Sequence, residues 1–597
     1  MCGISGLVYL DNTSVQKEEI EGLNNLVKHR GPDGSGVYTD GNVGLGHTRL
    51  SILDLSSSGH QPMIGGEDYV LVYNGEIYNF IEIREELILK GYKFFSTSDS
   101  EVVLKSYMEW GEGCVERFNG MWSLAIYDKK KQLVFCSRDR FGIKPFYYYK
   151  DDKKMVFASE LKQVISYLPT IKADRKILMD YLVLGLENHN ERTFFRDVKN
   201  LTPGTNLFIN LSNNSIEKRS FYELRSNIQR NVSDKTASLQ ELFQDSIKLR
   251  LRSDVSVGSC LSGGLDSSII SAVASKEYLK VKENKFLSIH AKSSESKSDE
   301  SSFAKLVSKE NFIDLNVIEP TVEDFTDSMD DVVRVQEEPF SGTSVFMQYF
   351  VMKKAKELGC KVLLDGQGAD EVFLGYDKYN VALIFHYLRR LKLFTLVKEL
   401  MCQNVRFKNM VLLTLFFGFP FLKKIILLRK ASFLSEEYLK DLSIKERNSY
   451  ENYFDVFNMQ VNEIYHPQLP HLLRYEDKNS MNFSVETRLP FLDFRLVEFG
   501  VGLPLNKKIF KGWSKYILRK DLGGCLPQSV RWRRDKIGFA SPESTWLDKV
   551  QLEPYVISSS ILKEIIKPGT KLSTIPNKYK WKLINISVWE RIFNVKM

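Results

Sequence analysis

Three short stretches of this sequence carry side chains suited to covalent or phosphate chemistry. The first is at the start, where Cys2 directly follows Met1. A small residue at position 2 lets the methionine be removed. The thiol then shares its residue with a free α-amine of pKa about 7.7–8.0, a base for its own nucleophile. The second is SGGLDSS, Ser262 to Ser268, between the β-rich VSVGSCL and the helix pattern IISAVAS. A Ser/Gly loop in that setting offers backbone N–H groups and a helix N-terminus to an anion. It is not the GxxxxGK[ST] phosphate loop. The third is GADE, where Asp370 and Glu371 follow the β-rich KVLLDGQ.

These residues need a scaffold. The opening third holds short apolar or alternating runs bounded by Gly, Asn and Asp, among them GISGLVYL, VGLGHTRLSIL, YVLVYNGEIYN, WSLAIYD and LVFCSRD. Such runs are strand patterns. Helix-period stretches, EIREELILKGY and SEVVLKSYMEWG, lie between them. The expectation is an α+β arrangement, sheets with helical cover. Residues 200–225 turn polar and read as a hairpin and linker. Beyond them the rhythm becomes strand–loop–helix, in VSVGSCLSGGLDSSIISAVAS, KFLSIHAKSS and KVLLDGQGADEVF. That alternation predicts a parallel, doubly wound sheet.

With 597 residues, 43% apolar and 26% charged, the chain has a globular composition and is too long for one core. Its seven cysteines, at 2, 114, 136, 260, 360, 402 and 525, show no CxxC pair and no metal-ligand spacing. That predicts a reducing compartment. The first residues lack a basic leader with an apolar core, so the expected location is cytoplasmic. The longest apolar run, Met410 to Leu422, has 13 residues, short of the ~20 that span a bilayer. The net charge of +8 is local: Lys378 to Lys430 carries eleven Lys/Arg against Glu399 alone, net +10, which leaves −2 for the rest. Nucleic acid is therefore not an expected partner.

Behind MCGI come HRGPDGSG (His29 to Gly36), GHTRLSILD (Gly46 to Asp54), YNGEIYN (Tyr73 to Asn79), TSDSE (Thr97 to Glu101) and SRDRFGIKPFYY (Ser137 to Tyr148). Singly each has a plain reading: Asn-Gly as a hairpin turn, Arg49 as a surface charge, Asp99 as a helix N-cap. Together and in order they resemble the class II glutamine amidotransferase domain, an N-terminal-nucleophile hydrolase with an αββα sandwich, over about the first 200 residues. The resemblance implies that Cys2 is the nucleophile on glutamine's side-chain amide, with the Asn74 carboxamide and Gly75 N–H as oxyanion donors. It also implies glutamine binding by Arg49, Leu50, Ser51, Ile52, Leu53, Asn74, Gly75, Glu76 and Asp99. Arg49 would take the carboxylate, which a planar guanidinium fits better than a lysine, and Asp99 the ammonium.

SGGxDS resembles the pyrophosphate-binding loop of enzymes that cleave ATP to AMP and pyrophosphate. With RYEDKNSMNFSVETRLPFLD (Arg474 to Asp493) added, the chain resembles the glutamine-hydrolysing asparagine synthetases along nearly its full length. The resemblance implies a glutaminase domain over 2–212 and an α/β ATP-pyrophosphatase domain over 213–597, assembled as a homodimer. ATP would adenylate the β-carboxylate of aspartate. Ammonia released at Cys2 would travel inside the protein and attack the acyl-adenylate, giving asparagine, AMP and pyrophosphate. The implied ATP contacts are Leu261, Ser262, Gly263, Gly264, Asp266, Ser267, Ser268, Ile289, Asp365 and Gly366. Lys515, in KGWSKYILRK, would neutralise the pyrophosphate, although a lysine in a helical stretch is more often solvated. Asp266 and Asp370 would hold Mg²⁺, a cation usually held by carboxylates plus phosphate oxygens.

Two features depart from that pattern. Described synthetases carry Glu at the first variable position of GxGxDE, beside the acyl-adenylate, and this chain has Gln367. A carboxylate there assists deprotonation of the attacking ammonia; a neutral amide cannot. The basic, apolar stretch at about 378–447 reads as an insertion. It suits extra amphipathic helices packed on the synthetase domain, with Lys and Arg stems snorkelling at the edge. It also suits attachment to the anionic inner face of a membrane, or a protein partner. The departures leave a second function in view, the same mechanism amidating another carboxylate, such as a sugar acid in surface-polysaccharide assembly. A third reading, a partner-bound protein that binds nucleotide without turnover, has SGGLDSS, Asp370 and Lys515 against it.

Overall fold

The computed structural model describes residues 2–230, 238–402, 407–444, 447, 452–534 and 538–597. Met1, on whose removal the Cys2 chemistry depends, lies outside them, as do 403–406 and 445–446 of the expected insertion. The first part of the chain builds two six-stranded sheets. One runs Lys199–Asn200, Tyr147–Lys150, Lys154–Ala158, Gly3–Tyr9, Val43–Arg49, Gly34–Asp40. The other runs Ile216–Ser220, Thr205–Asn210, Leu133–Arg138, Gly120–Asp128, Tyr69–Ile77, Met63–Gly65. All their pairings are antiparallel.

The sheets meet face to face through Ile4, Val8, Val72, Ala125, Val134 and Phe157. Helix α1 (Lys17–Asn25) packs Ile20 and Leu23 against Leu7 and Val156 on the outside of the first sheet. Helices α2 (Phe80–Leu89) and α3 (Asp99–Trp110) cover the outside of the second with Ile83, Leu87, Val103 and Tyr107. This is the expected αββα layering. Cover on both faces is why strand GISGLVY is buried almost throughout rather than alternating. The polar text near 200–225 also belongs to the sandwich. Thr205 pairs with Ser220 and Ile209 with Ile216, so a strand lies beyond the expected domain end at 212. It is polar because it forms the solvated edge.

The second domain centres on five parallel strands in the spatial order Ile313–Ile318, Phe286–Ala291, Val257–Cys260, Val362–Leu364, Glu486–Arg488. The winding reverses between Val257–Cys260 and Val362–Leu364, and doubly wound sheets bind ligands beyond the strand ends at such a switch. Helix α4 (Leu265–Tyr278) leaves the first of these strands and buries Ile269, Ile270, Ala272 and Ala274. Helix α5 (Leu469–Asn482) is unusual in burying Arg474, Glu476, Asp477, Lys478, Asn479 and Ser480 in succession with Tyr475. It lies against the sandwich, where Asp477 pairs with Arg30 at 2.8 Å.

The insertion forms the helices Tyr379–Arg389, Leu393–Cys402, Phe407–Gly418 and Pro420–Lys430. Leu383, Leu396, Met410 and Leu427 point inward and are buried, while Leu391, Phe394, Met401 and Phe421 are between 72% and 86% exposed.

Candidate active sites

Strand Gly3–Tyr9 starts immediately after Cys2, and the Gly3–Thr48 pairing brings Cys2 beside Arg49 at the end of the first sheet. Asn74 and Gly75 arrive from strand Tyr69–Ile77 of the facing sheet. The Cys2 nitrogen donates to Asn74 Oδ1 at 3.0 Å, and the Cys2 carbonyl accepts from Arg30 Nε at 3.0 Å. Burial pushes the Cys2 thiol up, while the Leu50 N–H and the Arg49 charge pull it down. With its oxygen engaged, Asn74 keeps a buried Nδ2 that has no partner among the described residues. That is a donor already placed for an oxyanion. A Cβ on residue 75 would lie 2.2 Å from the Met121 carbonyl oxygen, so only glycine fits there.

Arg49 donates to two carbonyl oxygens, Ser56 O at 2.6 Å and Asp54 O, and makes no ion pair among the described residues. Gly59 leaves the space for its guanidinium, since a Cβ there would sit 2.2 Å from Nη2. Asp99 accepts from the Tyr73 hydroxyl at 2.8 Å and the Ile77 N–H at 3.0 Å. Burial is the main cause of its carboxyl being pushed up to about 6. The helix N-cap is Ser98, not Asp99. Glu76 is pushed well above the carboxylate range by burial and by its neighbours Glu486 and Asp99, and lies 3.4 Å from Arg488. One small cavity joins Cys2, Arg49, Leu50, Ile52, Leu53, Gly75, Glu76 and Asp99. Ser51 is outside its lining; its N–H is held by Asp33 at 2.8 Å. Gln61 and Tyr73 line it unforeseen, Gln61 bonding both Tyr73 N–H and Ser100.

The second site lies at the switch point. Gly263 has φ +88°, and a Cβ there would come 2.8 Å from the Glu300 carbonyl. The loop is closed by Ser262 Oγ and Ser267 Oγ at 2.9 Å. Lys515 is not a solvated helix lysine. It is 3% exposed, sits in a turn with φ +50°, and contacts Asp266 and, at 2.7 Å, Asp370. Gly375 makes room for this group, since its Cβ would overlap Asp370 and Lys515. Asp266 keeps Oδ1 buried with no partner among the described residues. The two carboxylates converge on the Lys515 ammonium and are donors of the kind that would hold Mg²⁺ together with phosphate oxygens.

A cavity of about 330 Å³ brings together Ser262, Gly263, Gly264, Asp266, Ser267, Asp365, Gly366, Gln367, Asp370 and Lys515. Gln348 and Arg533 line it too, from outside every motif, and Tyr475 and Arg519 line it from RYEDKNSMNFSVETRLPFLD and KGWSKYILRK, where neither had a role assigned. Leu261 and Ile289 are fully buried, joined through the Leu261 N–H and Ile289 carbonyl at 2.9 Å, and Ser268 faces the interior; none lines this cavity. Between the two sites run contacts that sequence reading missed. Arg30 is bidentate on Asp477 at 2.8 and 3.2 Å and also meets Glu160 at 3.0 Å. Arg488, 0% exposed, reaches Glu76 with its side chain, while its carbonyl accepts the Asp365 N–H at 3.0 Å.

Comparison with known proteins agrees with this division. Residues 1–222 match the glutamine amidotransferase domain, and residues 238–559 match the asparagine synthase model. Bacillus subtilis (strain 168) asparagine synthetase [glutamine-hydrolyzing] 1 is 32% identical over 573 residues, covering 92% of this chain and 88% of the relative. Asparagine synthetase [glutamine-hydrolyzing] 3 of the same organism is 31% identical, covering 89% and 86%. A Methanocaldococcus jannaschii relative is 37% identical over 420 residues, 66% of this chain and 79% of its own. The class is an amidotransferase domain fused to an ATP-dependent synthase domain. The chain belongs to the glutamine-hydrolysing asparagine synthase family.

Proposed function

We propose that this protein is a glutamine-dependent asparagine synthetase, an ATP-dependent amide ligase with both half-reactions in one chain. The observation that carries the reading is Arg488, which joins the lining of the Cys2 pocket, through Glu76, to that of the loop pocket, through Asp365. In the smaller pocket Arg49 takes the substrate carboxylate and Asp99 the ammonium. The Cys2 thiolate attacks the side-chain amide carbon, with its proton taken by the α-amine once Met1 is removed. Asn74 Nδ2 and the Gly75 N–H hold the oxyanion, and ammonia leaves from the tetrahedral intermediate. Water then releases glutamate from the thioester.

In the larger pocket the Ser262–Ser268 loop and Lys515 hold the ATP phosphates, and an aspartate carboxylate displaces pyrophosphate to form the acyl-adenylate beside Gln367. Asp266 and Asp370 are the residues that would hold Mg²⁺, which neutralises phosphate charge when bound. Ammonia passing inside the protein attacks the acyl carbon and AMP leaves. The test is pyrophosphate and asparagine formation from ATP, Mg²⁺ and glutamine, with and without aspartate. Aspartate-dependent formation of both is expected. Glutamine hydrolysis without either would turn the search to other carboxylates, sugar acids first.

We infer further that the insertion rests on an anionic membrane surface. Its helices Lys408–Gly418 and Pro420–Lys430 meet at 98°, and no single described helix is long and apolar enough to cross a bilayer. Exposed Phe394, Met401 and Phe421 beside Lys392, Lys398 and Lys424 are the mixture that lies in a headgroup layer. Co-sedimentation with phosphatidylserine vesicles, lost on deleting residues 388–430, is expected; binding unchanged by that deletion would exclude this surface.

A further inference from the structure

Four carboxylates line the larger pocket: Asp266, Glu300, Asp365 and Asp370. Three of them already answer a cation. Asp266 and Asp370 share Lys515, and Glu300 meets Arg533 at 2.5 Å. Asp365 has no ion pair among the described residues. Its Oδ1 accepts the Gly366 N–H at 2.6 Å, and the carboxyl of Glu476 lies within hydrogen-bonding reach of it.

Glu476 comes from α5 and is 2% exposed. Its Oε2 receives the side-chain amides of Gln348 and, at 3.5 Å, Gln367. Its Oε1 is buried and receives no N–H or O–H donor among the described residues. Two carboxyls thus meet in the interior with amides around them and, among the described residues, no cation. Like charges in contact cannot both ionise, so such a pair holds one proton between its members. Burial and the Asp365 charge push Glu476 well above the carboxylate range. Asp365 is also raised by burial, but its hydrogen bond from Glu476 pulls it back down. The pair therefore carries one proton and one negative charge, and Asp365 is the member that reaches the pocket.

Forming an amide from ammonia and an acyl-adenylate needs a proton acceptor at the attacking nitrogen. The nitrogen lone pair makes the N–C bond, the C–O bond to AMP breaks with its electrons leaving on AMP, and one N–H proton must go elsewhere. Gln367 has no lone pair basic enough to take it. We propose that Asp365 is the catalytic proton acceptor of the synthetase site and that Glu476 is its positioning residue, fixing Asp365 through the shared hydrogen bond and the Gln367 and Gln348 amides through their NH₂ groups. With its NH₂ group so held, Gln367 keeps its carbonyl oxygen for the pocket. The assignment rests on reading that pocket as the acyl-adenylate site.

The experiment uses the full-length protein and two reactions: aspartate-dependent ATP–pyrophosphate exchange for adenylation, and asparagine formation from added ammonia for the whole sequence. D365N is expected to lower asparagine formation by ~10²–10⁴-fold beyond any loss of exchange, the usual contribution of a general base. E476Q is expected to lower it by about 10–100-fold in the same selective way. The double variant Q367E/E476Q, which returns a carboxylate to position 367, is expected to recover at least about tenfold over E476Q, which a purely structural role for Glu476 would not produce. D365N within about threefold of the parent, or E476Q losing exchange and asparagine formation equally, overturns the assignment alone. A parent protein that forms no asparagine from ammonia overturns both this assignment and the function it rests on. Glutamine hydrolysis at Cys2 and thermal melting report folding of each variant.

Discussion

Among the described residues of the smaller pocket, Arg49 donates only to carbonyl oxygens and Asp99 accepts only a phenol and an N–H, whereas in the larger one Lys515 is clamped by Asp266 and Asp370 and Glu300 faces Arg533. The first arrangement keeps one positive and one negative group apart and unneutralised, complementary to the two charges of a free amino acid. The second pairs three of its four carboxylates with cations of its own and leaves only Asp365 without one among the described residues, which suits a site for phosphates and a divalent cation that bring charges of their own. Tightness follows the same division. Glycine at 75 is forced by the Met121 carbonyl oxygen 2.2 Å from where a Cβ would lie, and Gly59 leaves room for the Arg49 guanidinium around the small pocket. The large one is walled by long side chains such as Gln348, Arg519 and Arg533.

The sharpest way to break this comparison is Cys2→Ala. Glutamine-dependent asparagine formation should fall by more than ~10³-fold, as for loss of a nucleophile, while synthesis from added ammonia stays within about threefold. Loss of both together would show that the pockets do not act separately. Lys515→Ala should lower aspartate-dependent pyrophosphate release by ~10²–10³-fold, the scale of an electrostatic stabiliser, and leave glutamine hydrolysis intact. Asn74→Ala should cost glutaminase activity about 10²-fold with little change in KM, since its free Nδ2 meets an oxyanion that forms only during reaction.

The seam between the pockets is tested by Asp477→Ala. It takes away one of the two carboxylates that meet the buried Arg30, the other being Glu160, and should destabilise the chain by about 1–3 kcal/mol in denaturant melts. The smallest effect is on pH dependence. Asp99 is raised to about 6, so it is ionised above that pH and neutral below it. KM for glutamine should rise about tenfold for each pH unit below 6, while KM for ammonia, counted as free NH₃, should lack that dependence. A flat glutamine profile would remove Asp99 as the ammonium partner.

Much of this was legible because it is local. Strand and helix patterns run over fewer than fifteen residues, and Cys2, Asn74, Asp99 and the Ser262–Ser268 loop each sit in a motif whose residue types announce a role. Helix α5 shows the opposite case. RYEDKNS has the composition of a solvated helix face, yet it is buried, because its partners Arg30, Glu338 and Glu337 come from as far as 447 residues away. Lys515 is a second such case, since its expected role came from the family resemblance and not from its local pattern. Nothing in KGWSKYILRK tells of the two acidic residues that surround it from other strand ends.

The amino-acid sequence by itself determined the layering, the winding of the parallel sheet and the motifs in which the candidate reactive groups sit, since periodicity, turn residues and motif chemistry act between near neighbours. Only the tertiary structure decided which charges face each other. It left Arg49 without a carboxylate, closed Lys515 between two, set Glu476 behind Gln367, and ran Arg488 from one pocket to the other. Those outcomes depend on burial, which sets the strength of each charge, and burial is a property of the whole packed chain.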